Sequence, residues 1–444
     1  MGTPPAAATH ESHTADPTPS FREAFAVFAA IGLQSFGGPA AQIALMHRVL
    51  VDERRWLSER IFLSALSFCM LLPGPEAMQL ATYSGWRLHG TKGGLMAGLL
   101  FVLPGAALVL ALSIVYAAYG KTPSVAALFL GVKAAVLAIV LEALIRLGRR
   151  ALRGWEDWLA AAAAFVAIFF LQVPFPLVVI AAAAAGYFRP AAAAPALPAR
   201  QSSTPVPLSQ TIGTAALWLA VWIVPLAAVV AIFGSDHVLA QLAWFFSKLA
   251  VVTFGGAYAV LAYMAQAVVE HYGWLTPGEM LDGLGLAETT NGPLILVTEF
   301  VGYTAAHRFG GEPTVAVGIL GALVTLWATF APCFLWIFAG APYIERITAA
   351  PRLASALSTV TAAVVGVIAN LSVWFALHVL FRRVEDSTLG PLRLIVPDPA
   401  SLDVLALALS ALAVLLLFVL KRGIATTLAV CGAASLVWLR LAIG

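Results

Sequence analysis

The sequence predicts an all-α polytopic membrane protein with two homologous repeats of inverted topology, broken or re-entrant helices and terminal helical hairpins. Of its 444 residues, 61% are hydrophobic and 11% are charged, and the mean hydropathy is +0.92. Apolar runs of about 20 residues are long enough to cross a hydrocarbon layer. Such runs occur at 94–118, 124–145, 215–233, 315–338, 355–381, 402–420 and 424–441. This composition excludes both a soluble domain and a single membrane anchor.

An internal duplication predicts the two repeats. Phe36 aligns with Phe254, and the same offset of 218 residues holds without gaps over a long stretch. It aligns Ser35-Phe36-Gly37-Gly38 with Thr253-Phe254-Gly255-Gly256, and Pro73-Gly74-Pro75 with Asn291-Gly292-Pro293. Further on the offset becomes 228, so that Lys133 aligns with Thr361. We expect a first repeat at 21–188 and a second at 239–444, each ending in a hairpin that turns near Gln172 or near Lys421.

The remaining segments set the expected topology. Residues 1–20 read as a disordered cytoplasmic tail, 189–210 as a linker, and 211–234 as an extra transmembrane helix that turns the second repeat upside down. Arg48, Arg54, Arg55 and Arg60 follow the first break, whereas the matching segment 269–279 has no Lys or Arg. This asymmetry favours an inverted arrangement, because basic residues mark cytoplasmic loops. Arg382, Arg383 and Arg393 count against it, since this scheme places them outside.

The repeated motifs that contain Gly and Pro predict helices that are broken within the membrane. Irregular backbone survives at that depth only when it is buried in protein or lines a polar cavity. Matching breaks in two halves indicate the binding site of a secondary transporter. Free N–H groups at a mid-membrane helix start favour an anion. The alternative is that the glycines serve helix packing and the prolines only kink the helices.

The candidate site residues lie at these breaks or carry buried charge. The candidate substrate-binding residues are Ser35, Phe36, Gly37, Gly38, Pro73, Gly74, Pro75, Gln79, Lys133, Lys248, Thr253, Phe254, Gly255, Gly256, Thr290, Asn291, Gly292 and Pro293. Lys133 alternatively forms an ion pair with Glu76, Glu288 or Glu299. Glu76 and Glu288 are candidates for proton coupling, and the alternative is that they cap helix starts.

No pattern indicates an enzyme, a metal site or a nucleic-acid surface. The sequence holds no phosphate-binding loop and no hydrolase or metalloprotease motif. Cys69, Cys333 and Cys431 are far apart in apolar segments, so we expect buried thiols and neither a disulfide nor a metal centre. The net charge of +3 is spread over the loops. We therefore expect no catalytic residue, no cofactor and no nucleic-acid partner.

The motifs at the breaks resemble those of the chromate ion transporter (CHR) family, of the long-chain, two-domain type. They are Ser35-Phe36-Gly37-Gly38-Pro39, the run from Leu72 to Leu80, Leu103-Pro104-Gly105, Thr253-Phe254-Gly255-Gly256 and the run from Glu288 to Leu294. The resemblance covers the chain from Phe21 onward. It implies a multi-pass carrier of the bacterial inner membrane that expels chromate, is coupled to protons and is sensitive to sulfate.

The expected partners are chromate, sulfate, protons, the lipid bilayer and a second copy of the chain in a homodimer. One departure is Asn291, which stands where the family pattern has proline, and this makes the preference for chromate over sulfate an open point. An importer of sulfate or another anion on the same scaffold is the alternative function. The sequence also leaves open whether the first helices of each repeat cross the membrane or re-enter it.

Overall fold

The computed structural model describes residues 19–189, 207–254, 257–344, 350–390 and 392–443. The predicted tail up to residue 18, the linker from 190 to 206, and the candidate residues Gly255 and Gly256 lie outside the described residues. Over the described part the chain is predominantly helical, and six of its helices are long and apolar enough to cross a membrane. A multi-pass membrane protein is the architecture that this pattern requires.

The first copy is a series of seven helices. They are α1 (Phe21–Gln34), α2 (Gly38–His47, extended by a π-helical turn, Arg48–Glu53), α3 (Glu59–Leu71), α4 (Glu76–Tyr119), α5 (Pro123–Ala151), α6 (Trp155–Phe169) and α7 (Phe175–Phe188). The backbone of α4 leaves the helical region at His89 and Gly90, so α4 is two helices joined at a kink.

The second copy repeats this series after one intervening helix, α8 (Leu208–Phe233). Its elements are α9 (Val238–Val252), α10 (Ala257–Gln266, extended by a π-helical turn, Ala267–His271), α11 (Pro277–Thr289), α12 (Val297–Phe309), α13 (Val315–Gly340), α14 (Pro351–Leu380), β1 (Val384–Leu389), β2 (Leu392–Pro397), α15 (Val404–Val414, extended by a π-helical turn, Leu415–Val419) and α16 (Ile424–Ile443). The helices α12 and α13 correspond to the two parts of α4. The predicted duplication is confirmed.

Two features differ from the sequence prediction. The strands β1 and β2 pair antiparallel, from Val384 opposite Pro397 to Leu389 opposite Leu392, where only helices were expected. The apolar run at 402–420, expected to form a full span, gives a shorter apolar helix that ends in a π-helical turn. The small hairpin carries Arg393, whose Nη1 lies 2.6 Å from Glu270 Oε2.

Short helices that flank the breaks pair so that their outer ends lie close together. Arg54, after α2, lies 3.2 Å from Glu23 at the start of α1, so α1 and α2 return to one surface. In the second copy Arg308, at the end of α12, lies 2.6 Å from Glu279 at the start of α11. Helices of 10 to 15 residues are only about 15–22 Å long. Each is therefore too short by itself to cross a hydrocarbon core of about 30 Å.

The terminal hairpins are exchanged between the copies. The helices α6 and α7 pack against α14 of the second copy, α15 and α16 pack against α5 of the first copy, and α5 packs against α14. A β-carbon at Gly131 would lie 2.2 Å from the Cys431 carbonyl oxygen, which shows how closely α5 and α16 approach. Both hairpins turn where predicted, with positive φ at Gln172 and Lys421.

Candidate functional site

The breaks of the two copies bond to each other at the centre of the molecule. The Gly74 N–H donates to the Thr253 carbonyl at 2.9 Å, and the Gly292 N–H donates to the Ser35 carbonyl at 2.8 Å. These two bonds are equivalent under the 218-residue offset, so each copy's second break is bonded to the first break of the other copy. The N–H groups of Gly74 and Gly292 are therefore occupied in this conformation.

The backbone at the breaks explains the repeated glycines. Gly37 and Gly38 have φ of 84° and 78°, and Gly74 and Gly292 have φ of 121° and 92°. Residues with a side chain rarely adopt these angles, whereas glycine adopts them readily. Glycine is thus required for the chain to turn within the membrane, whether or not a ligand binds there.

The hydroxyl groups at the first breaks are used within their own helices. Ser35 Oγ donates to the Ile31 carbonyl at 2.7 Å, and Thr253 Oγ1 donates to the Leu249 carbonyl at 2.5 Å. Both side chains are buried. Neither hydroxyl proton is free for an anion in this conformation, although the neighbouring Phe36 side chain is half exposed.

Side-chain amides line the same centre. Gln79 Nε2 donates to the Pro73 carbonyl at 2.7 Å, and Gln42 Nε2 donates to the Gly292 carbonyl at 2.7 Å. The Oε1 atoms of both glutamines are buried and lack a partner within the described part of the chain. Buried polar atoms are normally hydrogen-bonded, so unpaired ones mark a place where water or a ligand is expected.

Asn291 connects the copies instead of facing an open cavity. Its Nδ2 donates to the Gly32 carbonyl at 3.3 Å, and its own carbonyl oxygen lies 2.0 Å from where a β-carbon of Gly105 would be. The preceding Thr290 donates to the Ala287 carbonyl at 3.1 Å, and Pro293 follows the break. Asn291 thus holds α1 of one copy to the second break of the other.

A cavity of ≈ 270 Å³ leads from the end of α5 to the break before α4, and we call it the vestibule. The ends of α3 and α5 and the first half of α14 bound it. Its polar or break-forming lining residues are Gly74, Glu76, Arg150, Arg153, Ser358 and Thr361. Pro75 precedes Glu76, which is the first residue of α4. Positive charge therefore lies at the mouth of the vestibule and a helix start lies at its base.

Lys133 does not line the vestibule. Its Nζ is 3.3 Å from Asp282 Oδ1, and the Tyr116 hydroxyl donates to Asp282 Oδ2 at 2.7 Å. The expected ion pair with Glu76, Glu288 or Glu299 is therefore wrong, because the partner is Asp282. Lys133 also lies beside Gly278, in the first turn of α11, and not beside a glycine break.

The other charged candidates are held by local contacts. The Tyr258 hydroxyl donates to Glu288 Oε1 at 2.8 Å. Glu288 lies at the end of α11, so the interpretation that it caps a helix start is wrong. Lys248 Nζ lies 5.8 Å from the ring centres of both Phe245 and Tyr263, within the range of a cation–π interaction.

Sequence reasoning did not select Asp282, Tyr116, Arg150 or Arg153 as site residues. Asp282 could have been found as an acid within the apolar face of α11, where a buried charge calls for a partner. From the sequence alone, Arg150 and Arg153 indicate only a cytoplasmic loop. Their position at the vestibule depends on where α3 and α14 lie, and no local pattern gives that.

The three cysteines, Cys69, Cys333 and Cys431, are buried free thiols. Cys333 Sγ lies 3.0 Å from where a β-carbon of Gly74 would be, so α13 packs directly on that break. Among the residues whose placement is described, no group of three or more His, Cys, Asp or Glu side chains could hold a metal ion.

Comparisons with known proteins agree with this architecture. A family model described as "Chromate transporter" matches residues 22–187 and 240–437. The chain is 34% identical to the chromate transport protein of Pseudomonas aeruginosa over 87% of this chain and 88% of that protein. It is 31% identical to a probable chromate transport protein of Synechococcus elongatus, over 80% and 84%. It is 30% identical to the chromate transport protein of Cupriavidus metallidurans, over 82% and 84%.

No solved structure matches the fold. The relatives are named as transport proteins, and the two matched regions coincide with the two copies seen in the structure. The chain is therefore a multi-pass membrane protein that belongs to the chromate transporter family.

Proposed function

We propose that this chain is a secondary transporter that exports chromate across the bacterial inner membrane. The observation that carries the proposal is the vestibule, which leads from one surface to the Gly74 break and has Arg150 and Arg153 at its mouth. Irregular backbone in the membrane, reached by a polar cavity, is the usual place of a transporter's substrate site. The names of the relatives supply chromate as the substrate to test first.

Transport requires that the breaks become exposed to each surface in turn. The two copies suggest how this exposure alternates. The vestibule beside α3 is open, whereas in the corresponding place of the second copy α11 packs against α5. Opening at α11 and closing at α3 would carry a bound anion past the breaks. The Lys133–Asp282 ion pair would then separate, and Lys133 would line the second vestibule at the position that Thr361 occupies in the first.

The charge of chromate supports export as the direction of transport. A dianion that leaves a cell with an interior-negative potential gains about 4.6 kcal/mol per 100 mV, twice the value for one charge. The membrane potential alone can therefore drive export, and proton antiport would add to it. The basic residues around the vestibule support a cytoplasmic position for its mouth, since basic residues mark cytoplasmic loops.

The test is chromate flux into everted membrane vesicles that contain the protein. The potential and the proton gradient are collapsed separately, and each condition is repeated with excess sulfate. We expect accumulation that depends on the potential and that sulfate inhibits. Vesicles that accumulate no chromate under any gradient would contradict the proposal.

A second candidate function, proton-coupled import of sulfate or another anion, is favoured by Glu76 in the vestibule. A carboxylate and a dianion repel each other, so proton binding at Glu76 and anion binding favour each other. Such linkage moves the two ions in the same direction. Growth on chromate separates the functions, because an importer makes cells more sensitive to chromate and an exporter makes them more resistant.

A further inference from the structure

Arg150 and Arg153 differ from the other basic residues near the end of α5. Arg146 forms an ion pair with Glu142, and Arg189 forms one with Asp157. Neither Arg150 nor Arg153 has an acidic partner within 4 Å anywhere in the described ranges. Arg150 Nη2 donates to the Met70 sulfur at 3.8 Å. Two guanidinium groups are thus available at the mouth of the vestibule.

The local backbone structure holds Arg150 and Arg153 in position. Arg150 lies in the last turn of α5, and the Arg153 N–H donates to Asp157 Oδ2 at 3.1 Å, which holds the short connection to α6. Both side chains line the cavity, whereas the adjacent Arg149 does not. Arginine suits this position because its planar donor group binds oxyanions through two parallel hydrogen bonds.

The wall opposite the arginines offers hydroxyl groups from α14. Ser358 and Thr361 line the cavity one helical turn apart. Thr361 Oγ1 donates to the Leu357 carbonyl at 2.8 Å, whereas the Ser358 hydroxyl makes no hydrogen bond in the described part of the protein. Ser358 therefore has a donor to offer to a ligand in the cavity.

The first turn of α4, which begins at Glu76, lies at the base of the vestibule. The backbone N–H groups of Ala77 and Met78, in the first turn of α4, form no hydrogen bond outside the helix. The first turn of a helix leaves such groups unpaired, and they carry about half a positive charge. The N–H groups of this turn therefore offset part of the Glu76 charge at the base of the vestibule.

We propose that Arg150 and Arg153, with the Ser358 hydroxyl, form a capture site for doubly charged tetrahedral oxyanions at the mouth of the vestibule. This inference rests on the proposed function and specifies which anions the same route accepts. Two cations without acidic partners stabilise a dianion more than a monoanion of the same shape, since the Coulomb energy is proportional to the charge. Glu76, deeper in the cavity, opposes the anion until it binds a proton.

The test measures binding of sulfate, a tetrahedral dianion, and of perchlorate, a tetrahedral monoanion, to the purified protein by calorimetry. We expect Arg150→Gln and Arg153→Gln each to weaken sulfate binding about tenfold, as for the loss of a charge-assisted hydrogen bond near water. Perchlorate binding should weaken about threefold, because half the charge halves the lost energy. Arg149→Gln, which removes the same charge outside the cavity, should change neither.

Vesicle flux separates this inference from the proposed function. If the unmodified protein moves no chromate, the proposed function fails. If the protein moves chromate but Arg149→Gln impairs sulfate binding as much as Arg150→Gln does, the proposed capture site is wrong. The arginines would then contribute only their positive charge to the cytoplasmic loop. Equal losses for sulfate and perchlorate would also overturn it.

Two further variants guard against a protein that does not fold. Arg150→Lys keeps the charge but loses the planar donor pair, and we expect sulfate binding between that of Arg150→Gln and the unmodified protein. Glu76→Gln removes the opposing charge, and we expect tighter sulfate binding at neutral pH. Weaker binding by Glu76→Gln would contradict the placement of the anion in this cavity.

Discussion

The helices α3 and α11 occupy the same position in the two copies, yet their surroundings differ. Of the 13 residues in each, four are buried in α3 and eight in α11. The difference arises because α11 packs along α5, whereas α3 is separated from α14 by the vestibule. Two related segments have thus adopted two packings in one molecule, and the free-energy difference between such packings is often only a few kcal/mol.

Two contacts hold α11 in its closed position. The first is the Lys133–Asp282 ion pair, whose place in the first copy is taken by Ser64 and Thr361. The second is the close approach at Gly285, where a β-carbon would lie 2.1 Å from Val132 Cγ1. The corresponding residue of α3 is Ser67, which is exposed. The comparison predicts that disturbing either contact affects α11 and that the matching change in α3 has little effect.

The largest effect is expected for Asp282→Asn. Removing one partner of a buried ion pair leaves the other charge unpaired and costs about 3–5 kcal/mol. The Lys133 side chain is 25% exposed, so we expect a smaller loss in the free energy of unfolding, about 2 kcal/mol. The measurement is unfolding in mixed detergent and SDS micelles.

The control for Asp282→Asn is Ser64→Ala in α3, which should change the free energy of unfolding by less than about 0.5 kcal/mol. The double variant Lys133→Met with Asp282→Leu should recover most of the loss, because neither charge is then left unpaired. An unchanged stability for Asp282→Asn would show that the ion pair does not hold α11.

The next effect is expected for Gly285→Ser, which copies the α3 residue into α11. The added side chain meets Val132, and overpacking of this kind costs about 1–3 kcal/mol. We expect the loss in unfolding measurements, together with faster labelling of a cysteine at position 278 by a membrane-impermeant thiol reagent. Ser67→Ala is the matched control, and a loss as large in that variant would contradict the comparison.

The sequence predicted the fold to the extent that local patterns determine it. The 218-residue offset, the Gly and Pro phrases and the two hairpin turns identified the repeat and the breaks correctly. The exchange of the hairpins and the pairing of Gly74 with Thr253 were not predictable, because they join residues of different copies. The strands β1 and β2 were missed because their pattern is short and follows a long apolar helix.

The candidate site was predicted in part, for a related reason. The glycines were correctly placed at breaks, but their N–H groups bond to the other copy. The partner of Lys133 was missed because its pairing with Asp282 depends on the closed position of α11, which α3 does not share. A single sequence motif that adopts two packings cannot reveal which one each copy takes.

A smaller effect is expected for Asn291→Pro, which makes the second break match Pro73 of the first. The variant loses the hydrogen bond to the Gly32 carbonyl, worth about 1 kcal/mol. Since Asn291 connects the copies and does not line the vestibule, we expect the ratio of chromate to sulfate flux to stay unchanged. A shift in that ratio would show that Asn291 contacts the substrate.

An effect of similar size is expected for the aspartates at the start of the two terminal hairpins, Asp403 and Asp157. Burial raises the pKa of Asp403, but the N–H groups of Ala406 and Leu405 and the Arg382 guanidinium outweigh it, so the pKa lies below its usual range. Because the pKa of Asp403 is lower in the folded protein than in the unfolded chain, the charged carboxylate stabilises the fold. This stabilisation is complete above the ordinary pKa of about 3.9 and is lost as the pH falls through the pKa of the folded protein.

We therefore expect Asp403→Asn to lower the free energy of unfolding by about 1 kcal/mol at neutral pH, as for a lost helix cap, and by much less at pH 2. Asp157→Asn should behave alike, because Gly154, Arg189 and Arg153 lower the pKa of Asp157 despite its burial. Thermal unfolding in detergent across this pH range is the measurement. A different loss of stability in the two variants would show that the hairpins, like α3 and α11, differ between the copies.

The exchanged hairpins have a consequence for how such a protein could arise. A polypeptide with only one copy would leave the flank of its long helix bare, since the hairpin that covers α5 comes from the second copy and the one that covers α14 comes from the first. A single copy would therefore complete its core only by packing against a second copy. On this basis the two halves, made as separate chains, should assemble with each other.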